Sequence, residues 1–139
     1  MNKNMHKCPH CASGYLSFGV KQQTHSYKTN TFIVHQPGDW CNICPEGVLS
    51  GNHIKATSKV IRDMHAKIDH LLTSEEVRQI RNRLGLTQKE AASICGGGPN
   101  AFSRYESGKA TVSRATSNLL LLLSKYPEEV KTLLQNKNS

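Results

Sequence analysis

Apolar residues recur at helical spacing in the middle of the chain, from about residue 52 onward. Five of them follow one another at steps of 7, 3, 4 and 3: Ile54, Ile61, Met64, Ile68 and Leu71. These steps place the five side chains on one face of a helix. Such a face usually packs in a core, although a helix between two small domains could instead meet a partner. We therefore predict a linker helix over residues 51–72.

The second half of the chain carries helix-capping residues at short intervals. Thr73 or Ser74 can cap a first helix, which Gly85 ends. Thr87 can cap a second helix, with Glu90 three residues later as its capping-box partner.

Three further helices are predicted beyond this pair. Residues 96–98 are all glycine and force a turn, after which Pro99 can open a short helix that Gly108 closes. A leucine-rich helix follows over residues 114–125, and Pro127 opens the last one. These signals predict an all-α domain of five helices over the second half of the chain.

The first 50 residues are predicted to contain short strands instead. Segments 15–20 and 29–34 are rich in aromatic and β-branched residues, and a turn is predicted at Pro37-Gly38-Asp39. The alternation of polar and apolar residues is weak, so the pattern predicts a small sheet without fixing the ends of its strands.

Two Cys-x-x-Cys motifs flank this predicted sheet. They contribute four thiols: Cys8, Cys11, Cys41 and Cys44. Two close pairs of thiolates match the tetrahedral ligand set of a structural Zn²⁺ site, since the two-residue gap lets each pair hold one ion from a tight turn. Disulfides or a redox pair are the alternatives, although a redox motif needs no second copy. We expect one structural Zn²⁺ per chain.

The compartment expected for the protein agrees with a metal site. The segment from Met1 to Lys7 is polar and lacks the apolar part of a signal peptide. No stretch approaches the roughly 20 apolar residues of a membrane span. We therefore expect a cytoplasmic protein without a membrane partner, in a compartment that keeps thiols reduced.

The net charge points to a polyanionic partner. The 139 residues carry a formal charge of +8, and a zinc site filled by four thiolates would lower this to about +6. Such a basic surface is typical of a protein that binds nucleic acid. The alternative is a basic protein whose charge serves only its solubility.

The second and third helices of the all-α domain have the residues of a DNA-binding helix-turn-helix. Residues 74 to about 125 resemble the Cro/C1 family of phage-repressor-like proteins. The resemblance rests on two stretches: Leu84-Gly85-Leu86-Thr87-Gln88-Lys89-Glu90-Ala91-Ala92 and Phe102-Ser103-Arg104-Tyr105-Glu106-Ser107-Gly108. It also includes Gly96 at the turn, whereas Gly97 replaces the branched apolar residue usual in that family.

The outward face of the recognition helix holds the candidate base-reading residues. Asn100, Ser103 and Arg104 follow at steps of three and one. Asn can bond adenine and Arg can bond guanine through two hydrogen bonds each, while Ser suits either base or phosphate. Arg104 could instead contact only phosphate, because phosphate bonds outnumber base bonds in such complexes.

Four more residues are candidates for contact with the DNA backbone. Gln88 fits the family position that touches the backbone and braces the recognition helix. Lys89, Lys109 and Arg114 lie at neighbouring helix ends and would serve as phosphate anchors.

Other residues of this domain are read as structural. Phe102 and Tyr105, three apart, are expected to face the core. Arg81 and Glu106 occupy positions where many family members make an internal salt bridge. Cys95 is expected to be a small buried apolar residue, although a reactive thiol is the alternative.

The whole chain resembles the MqsA-type antitoxin family, which joins a zinc module to a helix-turn-helix. Three stretches carry this resemblance: Leu86-Thr87-Gln88-Lys89-Glu90-Ala91, Gly96-Gly97-Gly98 and Asn100-Ala101-Phe102-Ser103-Arg104-Tyr105-Glu106. It implies a structural zinc, an N-terminal module that neutralises an endoribonuclease toxin, and a C-terminal domain that dimerises and represses its own operon. It also implies that Asn100 and Arg104 read bases.

A dimer also has a physical motive. The run from Leu119 to Leu123 makes its helix apolar on all sides, and a small domain cannot easily enclose such a helix. A two-fold dimer would bury it and place two recognition helices about 34 Å apart on a palindromic double-stranded operator. A wholly intrachain core helix is the alternative.

The resulting expectation is an α+β chain with three parts. These are a zinc-bound β-containing module over residues 1–50, the linker helix over 51–72, and a Cro/C1-like five-helix domain over 73–139. A free-standing transcription regulator without a toxin is the alternative function. An enzyme is not expected, because four Cys ligands leave no open position on zinc and no general base is recognisable.

Overall fold

The computed structural model of the chain describes residues 6–137, and these residues form an antiparallel sheet followed by helices. The arrangement confirms the predicted α+β class. The chain divides into two compact units, with the boundary between Ser58 and Lys59. Within the described range, no helix is both long enough and apolar enough to cross a membrane.

The N-terminal unit is built on a long hairpin. Its strands are β1 (Leu16–Tyr27), β2 (Asn30–Cys41) and the short β3 (Gly47–Val48), in the order β1-β2-β3 with antiparallel pairing throughout. β1 and β2 pair from Tyr27 opposite Asn30 to Leu16 opposite Cys41. The hairpin therefore has a tight two-residue turn at one end and opens beside a cysteine at the other.

The prediction of a turn at residues 37–39 is wrong, because these residues lie inside β2. Pro37 pairs with Val20 of β1, while β3 reaches only Asp39 and Trp40. Pro37 thus has a neighbouring strand on one side only, where a missing N–H is tolerated. Gly38 does not form a turn but leaves space for neighbouring side chains. A Cβ there would lie 2.7 Å from Leu49 Cδ2 and 3.0 Å from the Trp40 ring.

One face of the hairpin is buried and receives the start of the first helix. Phe32, Val34, Gln36 and Trp40 alternate along β2 and are all buried. The Gln36 side chain donates from Nε2 to the carbonyl oxygen of His53 at 2.9 Å. Because Gln36 Oε1 accepts a hydrogen bond from Thr57 Oγ1 at 3.0 Å, this buried amide is satisfied on both sides.

The helices begin and end close to where the capping residues predict. Their bounds are α1 Gly51–Ile68, α2 Ser74–Arg83, α3 Gln88–Cys95, α4 Ala101–Glu106, α5 Arg114–Lys125 and α6 Glu129–Lys137. Thr73 and Thr87 cap α2 and α3, each within a complete capping box. The boundary between the two units falls inside α1, and the predicted domain limits stay a prediction.

The predicted apolar face of α1 is only partly correct. Ile54 is 55% exposed, whereas the buried positions of α1 are Thr57 and Ala66. In the C-terminal unit, the Asp63 carboxylate accepts hydrogen bonds from the N–H and the Oγ of Ser74, at 2.9 and 2.7 Å. A polar clamp therefore holds the start of α2 against α1, in addition to apolar packing.

The core of the C-terminal unit lies beneath α4 and α5. Phe102 and Leu120 are fully buried, and the Phe102 and Tyr105 rings meet edge to face at 5.4 Å. The prediction that both aromatic residues face inward is confirmed. The core therefore holds the predicted recognition helix by one side.

An ion pair adds a second constraint on α4. Arg81 contacts Glu106 through two bonds, Nη2 to Oε1 at 2.7 Å and Nε to Oε2 at 2.8 Å, and donates from Nη1 to the Leu86 carbonyl oxygen at 2.9 Å. The bond with Glu106 raises the pKa of Arg81. The predicted internal salt bridge is confirmed.

Removing this carboxylate should destabilise the C-terminal unit. Glu106→Ala leaves the mostly buried Arg81 guanidinium without its partner, so we expect a loss of about 3 kcal/mol in the free energy of unfolding. Urea titration followed by far-UV circular dichroism measures this loss. The control is Glu75→Ala, which breaks an exposed pair with Arg78 and should cost less than about 1 kcal/mol. Equal losses of unfolding free energy in the two variants would contradict a stabilising role for the pair of Arg81 with Glu106.

Candidate metal centre and nucleic-acid interface

The open end of the hairpin brings the two Cys-x-x-Cys motifs together. Cys8 and Cys11 precede β1, Cys41 is the last residue of β2, and Cys44 lies in the turn before β3. Each motif is a tight turn: the Ala12 N–H donates to the Cys8 carbonyl oxygen at 2.9 Å, and the Cys41 N–H donates to that of Glu46 at 3.0 Å. The strand register therefore explains how two motifs that are distant along the chain come to face each other.

The four sulfur atoms fit a tetrahedral metal site. All lie within 4.8 Å of one another, and two of the separations are 3.6 Å, for Cys8 with Cys44, and 3.7 Å, for Cys11 with Cys41. A tetrahedron with Zn–S bonds of about 2.3 Å has edges of about 3.8 Å. The cluster can thus hold a metal ion with small adjustments of the side chains.

Backbone N–H groups favour the thiolate forms of two of these cysteines. Cys41 Sγ accepts from the N–H groups of Cys44 and Ile43, at 3.4 and 3.3 Å, and these bonds lower the pKa of Cys41 to about 6. The N–H groups of Ser13 and Gly14 lower the pKa of Cys11 in the same way. The turns therefore stabilise the form that binds metal.

Cys44 shows the opposing effect. The N–H of Glu46 favours its thiolate, but burial and the three other sulfur atoms outweigh that bond and raise the pKa of Cys44 to about 12. Four negative sulfur atoms at these distances repel one another, so the cluster suits a divalent cation that neutralises them.

Gly14 completes this site, although the motif spacing alone does not indicate it. A Cβ at Gly14 would overlap Cys41 Sγ and would lie 2.8 Å from Asn42 Oδ1. That oxygen accepts a hydrogen bond from the Tyr15 N–H at 2.9 Å, which ties the two motifs together. The available signal was a glycine three residues after Cys11, where a small residue leaves space for the second motif.

The candidate base-reading residues share the solvent side of α4. Asn100 is the N-cap residue of α4 and its side chain makes no capping bond. Asn100, Ser103 and Arg104 are all exposed, while Ala101 and Phe102 between them are buried. The three polar side chains therefore share the side of α4 opposite the core.

The candidate backbone contacts are more dispersed. Gln88 and Lys89 are the first two residues of α3, half-buried and exposed respectively, and the exposed Lys109 follows α4. Arg114 starts α5 and donates from Nη2 to the Asp69 carbonyl oxygen at 2.9 Å. Arg114 thus has a structural bond that the sequence did not indicate, and the DNA roles of all four stay predictions.

Cys95 does not belong to the metal cluster. It ends α3, is half-buried and packs against the core of the C-terminal unit. Burial raises the pKa of Cys95 to about 11, so its thiol stays protonated near neutral pH. The expected packing against the core is confirmed, although Cys95 is half-buried rather than buried.

Two comparisons with known proteins cover almost the whole chain. A family model described as "Antitoxin component of bacterial toxin-antitoxin system, MqsA" matches residues 5–134. The protein is also 35% identical to Antitoxin MqsA of Escherichia coli (strain K12) over 124 residues, which is 88% of this chain and 95% of the relative. The match to the family runs through all four clustered cysteines and the segment from α3 to α4.

Removing one sulfur should empty the metal site. Cys41→Ser eliminates one of the two thiols whose pKa is lowered, so we expect bound zinc to fall and the N-terminal hairpin to lose order, because metal binding and folding are linked in such modules. Elemental analysis measures the zinc, and amide NMR shifts report on β1 and β2. Cys95→Ala is the matched control and should keep its zinc. Full zinc content in Cys41→Ser would contradict the site.

Proposed function

The chain belongs to the MqsA family of antitoxins, and on that basis we propose that it is the DNA-binding antitoxin of a type II toxin–antitoxin pair. In this proposal α4 represses the protein's own operon and the zinc module neutralises an endoribonuclease toxin. The observation that carries it is that Asn100, Ser103 and Arg104 are exposed on one side of a short helix whose other side is packed in the core.

Sequence reading requires that α4 be held firmly while one side stays free. Phe102 anchors it in the core and Glu106 anchors it to Arg81. Asn100 and Arg104, one helical turn apart, can then each bond a base edge in the major groove, worth about 1–3 kcal/mol of discrimination per bidentate pair. Ser103 between them suits a base or a phosphate.

The backbone of the duplex would be held by residues at neighbouring helix ends. Gln88, Lys89 and Lys109 lie at the start of α3 and just after α4, and Arg114 has donors left beyond its bond to Asp69. Together with the formal charge of +8, these residues would release counterions from the duplex, so binding should weaken steeply as salt rises.

A homodimer through the C-terminal domain is part of the proposal. Leu120 and Leu123 of α5 are buried, but Leu121 and Leu122 are 48% and 56% exposed. Exposed adjacent leucines support a contact with a second copy, as does the nearby Tyr126 at 45% exposure. Two recognition helices would then reach successive major grooves of a palindromic operator, about 34 Å apart.

The zinc module is proposed to bind the toxin without chemistry of its own. Four Cys ligands fill a tetrahedron, so a Zn²⁺ ion there, one per chain, would be structural. The hairpin face opposite the buried one carries Phe18, Val20 and Ile33, which are 68%, 58% and 59% exposed. Such apolar exposure supports a protein partner at this module.

Truncating the proposed guanine reader should weaken specific binding. For Arg104→Ala we expect a loss of about 1–3 kcal/mol on DNA from upstream of the protein's own gene, and a smaller loss on random duplex. Fluorescence anisotropy at fixed salt measures both affinities. Lys131→Ala, which removes an exposed cation on α6, is the control. Equal losses on both duplexes would reduce Arg104 to a phosphate contact.

The toxin partner is tested with the product of the adjacent gene. We expect the protein to capture that product and block its cleavage of RNA. Arg104→Ala should do so equally well, whereas Cys41→Ser should not, because its hairpin loses order. Failure of the unsubstituted protein to capture the product would favour the free-standing regulator, and capture by Cys41→Ser at full strength would contradict the role of the zinc module.

A further inference from the structure

The turn between α3 and α4 has a backbone that only glycine adopts readily. Gly96, Gly97 and Gly98 have φ values of 83°, 94° and 89°, and all three are exposed. A residue with a Cβ is strained at each of these positions. Three consecutive residues of this kind define a specific path of the main chain.

Crowding within the protein explains only one of these glycines. A Cβ at Gly97 would lie 3.1 Å from Ala101 Cβ and 3.3 Å from Tyr105 Oη. A Cβ at Gly96 or Gly98 would meet nothing within 4 Å. At Gly96 and Gly98 the main chain is therefore open to solvent, so that an external group can approach it closely.

Two amide donors of this turn are not bonded to the protein. The Gly96 N–H donates to the Ala92 carbonyl oxygen at 2.7 Å, and the Gly98 carbonyl accepts from the Ala101 N–H at 3.2 Å. Neither the Gly97 nor the Gly98 N–H has an acceptor among residues 6–137. Backbone donors are satisfied by protein, water or ligand, so these two are available to a bound group.

The turn borders an open cleft that carries positive charge. The cleft has a volume of about 280 Å³ and is lined by Lys89, Ala92, Ser93, Gly96, Gly98 and Pro99. Lys89 is the one charged residue among them, and no carboxylate lines the cleft. The Ser93 hydroxyl already donates to the Glu90 carbonyl oxygen at 2.7 Å. A cation and an unbonded amide donor that line the same cleft, Lys89 and Gly98, can form a site for an anion.

We infer that this cleft binds a phosphate of the DNA backbone, through the amide of Gly98 and the ammonium of Lys89. The inference rests on the proposed function, because Pro99 leads directly into Asn100 and the base-reading side of α4. Charge-assisted bonds from a fixed amide and an ammonium set the position of a phosphate closely. They would fix the register of α4 in the groove without reading sequence.

The Gly98 amide itself reports on the contact. The zinc-loaded full-length protein, labelled with ¹⁵N, is titrated with duplex DNA from upstream of its own gene. We expect the Gly98 amide proton to move downfield and to exchange more slowly with solvent. The control amide is that of Gly85, also at positive φ but already bonded to the carbonyl oxygen of Asn82, and it should not change.

A charge variant tests the same site through affinity. Lys89→Ala should weaken binding to upstream and random duplexes by the same factor, and the slope of log Kd against log salt should fall by about one. Lys131→Ala should leave that slope unchanged. A loss confined to the upstream duplex would overturn the assignment of Lys89 to phosphate.

The outcomes separate this inference from the proposed function. DNA binding that depends on Arg104, with the Gly98 amide unchanged, would overturn the phosphate site in the cleft and leave the proposed function standing. Full shifts produced by inorganic phosphate alone, with none added by DNA, would overturn the assignment to the duplex. Absence of any DNA binding would overturn both.

Discussion

The N-terminal unit depends on the convergence of four sulfur atoms within 4.8 Å at the open end of its hairpin. A unit of this size buries too little apolar surface to be strongly stable, so a metal ion bound by these sulfur atoms would contribute a large share of its stability. The register that places Leu16 opposite Cys41 serves this convergence. Gly14 serves it too, since only a residue without a Cβ leaves room for Cys41 Sγ.

The C-terminal unit meets a different constraint, because one short helix must be fixed on one side and free on the other. α4 has only six residues and would not be stable alone. Phe102 in the core and the paired Arg81 and Glu106 hold it from behind. This division explains how Asn100 and Arg104 can be exposed and yet well positioned, as base reading in our proposal requires.

Sequence reasoning succeeded where structure is determined by neighbouring residues and failed where it depends on distant ones. The capping box of Thr87 with Glu90 places the start of α3 correctly, because both of its bonds span three residues. The sequence predicts a turn at Gly38, whereas in the structure a glycine is needed there because Leu49 and Trp40 pack over it. Only the assembled sheet contains that information.

The candidate sites divide in the same way: spacing alone identified the four cysteines, but the bond from Arg114 to Asp69 joins residues 45 positions apart and has no local signal. The free amides of Gly97 and Gly98 were likewise invisible, since a run of glycines predicts a turn but not which of its N–H groups are satisfied.

The central claim is that these four sulfur atoms hold one zinc ion that shapes the N-terminal unit. X-ray absorption spectroscopy at the zinc edge, on the full-length protein with its metal content measured, tests it directly. The account predicts one zinc per chain, surrounded by four sulfur atoms at about 2.3 Å. Nitrogen or oxygen bound directly to the zinc, or a folded protein with disulfides and no zinc, would contradict it.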